Sequence, residues 1–383
     1  MGTTLETSCE IWGDSRQFEE HAEELDELLE EVGAPVTAEV SWLRTWLASF
    51  PEVEPWLVAV RDHRGRLQAV APLARRRRGS RNDLTLIGDG VSDYGWLPAR
   101  NEAAAAALAD ALVARLVRRG ARWSLALRQI PADDPVAVRL AARLQHARLL
   151  PGQPAPRTII TERDITAYTS RNYRKSARNR RSRLARQGHG PRVDFLRDPD
   201  EVHHCLDEVV ETCRERERQM LGRSPLDDRR RERFFRKVVC TFAHQGRLEL
   251  AVLRANDELA AYAVSLLDGD AYRMWNAHHA VTWSDFSPGQ VLDYEIVQRI
   301  VDDPSLAVID WMMGMESYKL RVANRTEPTE ELLAWSHPGV GARAFGPQRL
   351  RGRLELAAEE DECAGRVLEG MRVARQRLLR TGR

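Results

Sequence analysis

The chain has 383 residues, 30% of them charged and 43% hydrophobic, with 58 lysines and arginines against 57 aspartates and glutamates. That length exceeds one ordinary core and suffices for two domains with an appendage. A formal net charge of +1 excludes an overall field that would draw the molecule to nucleic acid or membrane, so any polyanion contact must be local.

The first 31 residues are acidic and lack the basic start and apolar core of a signal peptide, and no apolar run approaches membrane-spanning length. The five cysteines, Cys9, Cys205, Cys213, Cys240 and Cys363, form no CxxC pair and no zinc-like spacing with histidine. A soluble cytoplasmic protein with ordinary thiols, no transmembrane segment and no metal is expected.

From Trp42 to Phe50 the bulky residues follow helical spacing. Trp56 to Arg61, the turn Asp62-His63-Arg64-Gly65 and Arg66 to Leu73 then read as a hairpin. Gly88-Asp89-Gly90 and Ser92-Asp93-Tyr94 form a turn, Glu102 to Arg119 an alanine-rich helix, and Trp123 to Leu127 a strand. Pro151 to Pro156, with three prolines and Gly152, reads as a linker. Arg171 to Arg186 contains no acid, and on a helix Arg171, Arg174, Lys175, Arg178 and Arg181 share a basic face able to meet a phosphate backbone. The same face could instead be a solvated surface paired with acids such as those of 198–201 or 211–217.

A shift of 192 positions, without a gap, then repeats the first unit. Trp42, Trp46, Leu47 and Phe50 fall on Phe234, Val238, Val239 and Phe242; Leu57 to Val60 falls on Glu249 to Val252; Ser92-Asp93-Tyr94 falls on Ser284-Asp285-Phe286. A duplicated α/β fold follows, each copy a mixed central sheet flanked by helices. In the second copy Arg247–Leu253, Glu258–Leu267 and Ala271–Ala277 read as strands. The helix after Gly289 carries the apolar stripe Leu292, Ile296, Val297, Ile300 and Val301, and Ala307–Met312 is the next strand. The expected division is 1–155 for the first lobe, 156–338 for the second and 339–383 for a helical tail.

The chemistry concentrates between Trp275 and Lys319. Ser287-Pro288-Gly289-Gln290 stands where a strand hands over to a helix, so its backbone N–H groups can hold an anion, with Ser287 placed to cap and Pro288 suited to the first turn. Trp275, Asn276 and His278 end a strand at the expected cleft, where they can line a pocket or simply pack. His278 and His279 have no cysteine or carboxylate spaced to join them in a metal site. Asp93 and Tyr94 can hold an ammonium and relay its proton, or serve as turn and packing residues.

The order Trp42…Trp46…Phe50, hairpin, Ala71-Pro72-Leu73, Ser92-Asp93-Tyr94, basic helix, Ser287-Pro288-Gly289 and Gly314-x-Glu316-x-Tyr318-Lys319 resembles the CelD/BcsL-type acetyltransferases. These are tandem GNAT-like proteins related to the Fem aminoacyl transferases. The resemblance implies two GNAT-like lobes and acyl transfer to an amine, with acyl-CoA such as acetyl-CoA as donor. Where that superfamily has Arg/Gln-x-x-Gly-x-Gly/Ala for the CoA pyrophosphate, this chain has Asp285-Phe286-Ser287-Pro288-Gly289-Gln290, with one glycine and no preceding basic residue.

Ser287, Gly289, Gln290 and Gly314 are the implied donor-binding residues, and Tyr94, Trp275, Asn276, His278 and Tyr318 the substrate-binding ones. Lys319 matches the lysine that Fem-like proteins associate with the reacting carbonyl, consistent with an ammonium stabilising negative charge on that oxygen. Glu316 is expected to orient Lys319 or, like Asp93, to act as base on the amine. Two alternatives stand beside this reading. One is a Fem-like transferase using aminoacyl-tRNA, favoured by the basic helix and the incomplete pyrophosphate motif. The other is a non-catalytic protein binding nucleic acid or a membrane surface. No motif specifies the amine acceptor, small molecule or peptide, or the oligomeric state.

Overall fold

A computed structural model of the chain describes residues 7–118 and 120–345. The first half runs β1 (Ser8–Trp12), α1 (Ser15–Glu20), α2 (Ala22–Glu31), α3 (Val40–Ser49), β2 (Glu54–Arg61), β3 (Leu67–Arg78), β4 (Arg81–Leu86), α4 (Glu102–Leu116), β5 (Arg122–Pro131), α5 (Pro135–Arg143) and β6 (Ala147–Pro151). The second runs β7 (Ala155–Ile159), α6 (Arg171–Arg186), β8 (Arg192–Leu196), α7 (Pro199–Leu221), α8 (Arg229–His244), β9 (Leu248–Ala255), β10 (Glu258–Asp268), β11 (Ala271–His279), α9 (Pro288–Asp302), β12 (Val308–Asp310), α10 (Ser317–Leu320), β13 (Arg325–Glu327) and β14 (Thr329–Trp335). Local chemistry sets many of the boundaries. Asn101 caps α4 through its side chain, and Asp134 and Asp198 cap α5 and α7, each followed by proline at the first helical position. Gly222 ends α7 in the left-handed conformation.

Two seven-stranded sheets share one plan. The first has the order β1-β2-β3-β4-β5-β14-β6 and the second, read from its other edge, β8-β9-β10-β11-β12-β7-β13. In each the fourth and fifth strands are parallel, β4 with β5 and β11 with β12. The duplication read at 192 positions is thus a duplicated α/β fold.

The sixth strand is exchanged. β14 lies between β5 and β6 of the first sheet, while β7 lies between β12 and β13 of the second. This corrects the linear division: 329–335, placed with the second lobe, complete the first. The expected linker at 151–156 narrows to residues 152–154, with Pro151 ending the edge strand β6 and Pro156 near the start of β7 between β12 and β13. Of the tail 339–383, Val340 and Phe345 pack on Leu333 and Trp335; residues 346–383 lie outside the described ones.

A shared core sits between the sheets. α3 and α8, the repeat-related helices, pack on each other, with Trp42 edge-on to Phe234 at 5.2 Å and to Phe242 at 6.2 Å. Leu43, Val238, Val209 and Leu250 join them. α4 and α5 cover the outer face of the first sheet, and α6 and α9 that of the second. Among the described residues no helix is long and apolar enough to cross a membrane.

Candidate active site in the interlobe cleft

The parallel strands β11 and β12 pair only over Ala271–Val308, Tyr272–Ile309 and Arg273–Asp310. β11 then continues to His279, while the segment after β12 turns away through Met312 and Gly314, both at positive φ. A bulge in the β10–β11 register leaves Trp275 without a partner, between Met274 opposite Ser265 and Asn276 opposite Val264. Trp275 thereby turns into the space between lobes, stacking on Phe235 at 5.2 Å and meeting Trp42 edge-on at 5.2 Å. The neighbouring Asn276 accepts a 2.6 Å hydrogen bond from the Tyr262 hydroxyl.

Here opens a cavity of about 590 Å³, within the range of small-molecule sites. The 87–95 turn after β4 forms one wall, with the start of α8, Trp275, Asn276 and Met313 opposite. Asp93 lines it from the first lobe. Burial pushes the Asp93 carboxyl from its ordinary 3.8 to about 7; Lys319 opposes that rise, and Asp310 and Glu316 add to it.

Lys319 is buried in the one-turn helix α10, 5% exposed. Its ammonium donates to the carbonyl of Met313, itself a cavity residue, and pairs with Glu316 at 3.0 Å. Glu316 is more than half exposed, and neither it nor Lys319 is among the residues lining the cavity. Gly314 makes their pairing possible. It adopts φ +103°, and a Cβ there would stand 2.6 Å from a Glu316 oxygen.

Tyr94 also borders the cavity, and its contacts follow the packing reading of the two its sequence context leaves open. Its hydroxyl donates to the buried Asp310 at 2.6 Å, which holds the phenol well above its ordinary range together with burial, the larger cause. Asp310 also accepts from Arg273 at 2.5 Å and from the Met312 N–H at 2.9 Å, and lies 3.4 Å from Arg157. Tyr94 is therefore a strut between lobes, tied into a buried ionic cluster, and not free to relay a proton. Tyr318 meets Trp311 edge-on at 6.4 Å, outside the cavity lining.

The start of α9 is a second polar feature. Ser287 takes φ +49° and makes no capping hydrogen bond, correcting its expected role. Its hydroxyl instead accepts from Arg180 of α6 at 2.5 Å. Arg183 reaches the Asp285 carbonyl at 3.3 Å and lies 5.0 Å from the centre of the Phe286 ring. Around Gly289 there is room, the nearest atom to an added Cβ being a His279 ring nitrogen at 3.7 Å, and Gln290 follows with its N–H bonded to Ser287.

The expected basic face is divided accordingly. Arg174 turns to Thr169 and Arg181 to Glu295, leaving Arg171, Lys175 and Arg178 exposed without an acidic partner among the described residues. Arg180 was not singled out by sequence. The available signal was its place on the stripe Tyr173, Ala177, Leu184 that α6 turns toward the protein.

The histidine expectation also changes. The i, i+4 pair Cys213 and Glu217 on α7 faces His278, with Glu217 and His278 4.0 Å apart. Burial, with His279 and Arg216, lowers the His278 pKa to about 4, and burial raises the Cys213 thiol to about 12. Distance in sequence hid this cluster.

The two sheets, their shared plan and the cleft between them define a two-lobed GNAT-like fold. The family model described as acetyltransferase (GNAT) domain matches residues 171–320 of this tandem GNAT-like fold. Among solved structures it is similar to FemX (TM-score 0.57, 11% identity, covering 82% of this chain and 95% of that one). It is also similar to the C-terminal domain assigned to a lysylphosphatidylglycerol synthetase from Agrobacterium fabrum (0.53, 12%, 85% and 94%). A third similar chain is a conserved protein of unknown function from Bacteroides thetaiotaomicron (0.52, 12%, 83% and 97%). No curated protein matches the sequence.

Proposed function

We propose that this protein is an N-acyltransferase that passes an acyl group from acyl-CoA to an amine, forming an amide. The observation that carries this reading is Asp93 on the cavity wall, with the Lys319 ammonium of the other lobe close enough to oppose the rise of its pKa and bonded to the carbonyl of the lining residue Met313.

The donor supplies an activated carbonyl carbon. An ammonium carries three protons; Met313 and Glu316 take two from Lys319, and the third is available to a carbonyl oxygen gaining negative charge. Asp93, with its carboxyl near pH 7, takes the proton the acceptor amine loses as the C–N bond forms and the C–S bond breaks. Trp275 and Asn276 line the space for the acceptor. Arg180, the uncapped α9 terminus and the open approach at Gly289 supply the positive character for a pyrophosphate. Arg180 thereby stands in for the basic residue missing from the chain just before this motif.

The exposed Arg171, Lys175 and Arg178 favour a second reading, an aminoacyl group delivered on tRNA. Binding of acetyl-CoA, charged tRNA and uncharged tRNA separates the possibilities. Selectivity for acetyl-CoA supports the first reading, and dependence on the aminoacyl group supports the second. Equal binding of both RNAs without acyl turnover contradicts both and leaves a nucleic-acid-binding protein.

A further inference from the structure

We propose that Cys213, Glu217 and His278 bind a divalent transition-metal ion of the zinc class, its open coordination position turned toward the interlobe cavity. The inference does not rest on the acyl-transfer reading. One donor atom from each residue lies within 4.8 Å of the other two, and His278 Nε2 stands 4.0 Å from Glu217 Oε1. Two of the three donors share a face of α7 one turn apart, and the third projects from β11 opposite. Metal–ligand bonds of about 2.0–2.3 Å ask these donors to close by roughly 1 Å, within reach of side-chain rotation in Glu217 and His278.

The Cys213 thiol is within hydrogen-bonding reach of Glu217, Tyr262 and Asn276, so the donors already face one another. The His278 imidazole, 16% exposed, turns its Nε2 to the Glu217 carboxylate at 4.0 Å. The Tyr262 hydroxyl is directed to Asn276, and Ser224 donates to Oε2 of Glu217, leaving Oε1 facing the imidazole. That serine is the kind of outer partner that orients a ligating carboxylate.

The donor set also selects the ion. Thiolate, imidazole and carboxylate together suit zinc and cobalt over magnesium or calcium, and the two anionic ligands neutralise a dication. The metal displaces the thiol proton of Cys213, which passes to solvent. Cys213 and Glu217 line the cavity together with Asn276, so a fourth position there can take water or an oxygen or nitrogen of a bound substrate. Arg216 is a positive charge that competes with an ion at His278.

The test is a cobalt(II) titration of the full-length, reduced, metal-stripped protein, followed by zinc(II). The expected result is one equivalent of cobalt with thiolate charge-transfer absorption and tetrahedral d–d bands, displaced by one equivalent of zinc. C213S and H278A should each weaken binding by more than the roughly 10- to 100-fold that loss of an outer partner costs, and C213S should lose the charge-transfer band. C240S is the control, because Cys240 lies 3.8 Å from His203 and offers a rival two-donor pair; it should bind as the parent does. Circular dichroism verifies folding, and if C213S does not fold, H278A and E217Q carry the comparison. Absence of stoichiometric cobalt uptake by the parent, or uptake unchanged in the folded Cys213 or His278 variants, overturns the proposal.

Discussion

Asp93 lines the cavity from one lobe and Lys319 of the other bonds the carbonyl of its lining residue Met313, and the chemistry of each is set by what surrounds it. The raised Asp93 pKa gives a signed prediction. Between its ordinary 3.8 and about 7 the folded protein holds a proton that the unfolded chain releases. The stability this contributes is complete below 3.8 and is lost as pH rises through 7. D93N should therefore flatten the decline in stability over that interval, measured as thermal midpoint against pH. In the acyl-transfer reading the ionised form is the working base, so kcat/KM should rise through about pH 7 in the parent. D93N should lower turnover by about 10²- to 10⁴-fold; a parent profile flat across pH 6–8 would remove Asp93 as the base. G314A should weaken the hold on Lys319, because its φ of +103° and the approach of Glu316 both exclude a side chain. The expected outcome is reduced turnover with near-parent donor affinity.

At this scale the sequence was legible where neighbours in the chain are neighbours in space: Gly314, Glu316 and Lys319 form one turn and its cap. It was silent on Arg180 with Ser287, and on Cys213 and Glu217 with His278, because helices 60 to 110 residues away supply the partners. For Tyr94 relay and packing stood open for the same reason, its partner Asp310 lying on the other lobe's sheet.

Among the elements, α6 was readable as a basic helix but its orientation was not. A charge-only helical wheel gives no weight to Tyr173, Ala177 and Leu184, the three buried positions that decide which arginines face α9. The consequence is a division of labour. R180A should weaken acetyl-CoA binding by roughly 10- to 100-fold, the range for a charge-assisted hydrogen bond, as measured by calorimetry. K175A with R178A should leave acetyl-CoA binding unchanged and lower affinity for RNA. Equal loss of acetyl-CoA affinity in both variants would detach the α9 terminus from donor binding.

For the whole molecule, the exchanged strands β7 and β14 and the α3–α8 contact make each lobe depend on the other. Trp42, fully buried where the repeat-related helices meet, should cost about 3–5 kcal/mol when replaced by alanine. Thermal unfolding should remain a single transition in both parent and W42A; two separated transitions would show that the lobes fold alone. The repeat itself was visible because helix and hairpin kept their spacing across 192 positions. The exchange was not, since β7 has five residues and β14 seven, and their pairings are fixed by sheet edges formed far away in the chain.

The central claim, that the buried ammonium of Lys319 acts on a reacting carbonyl, is tested most directly by K319A. Turnover would be measured with acetyl-CoA and a panel of amines, alongside the donor dissociation constant. The account predicts a fall in turnover of about 10²-fold or more with donor affinity nearly unchanged. Parent-like turnover in the folded variant would contradict it.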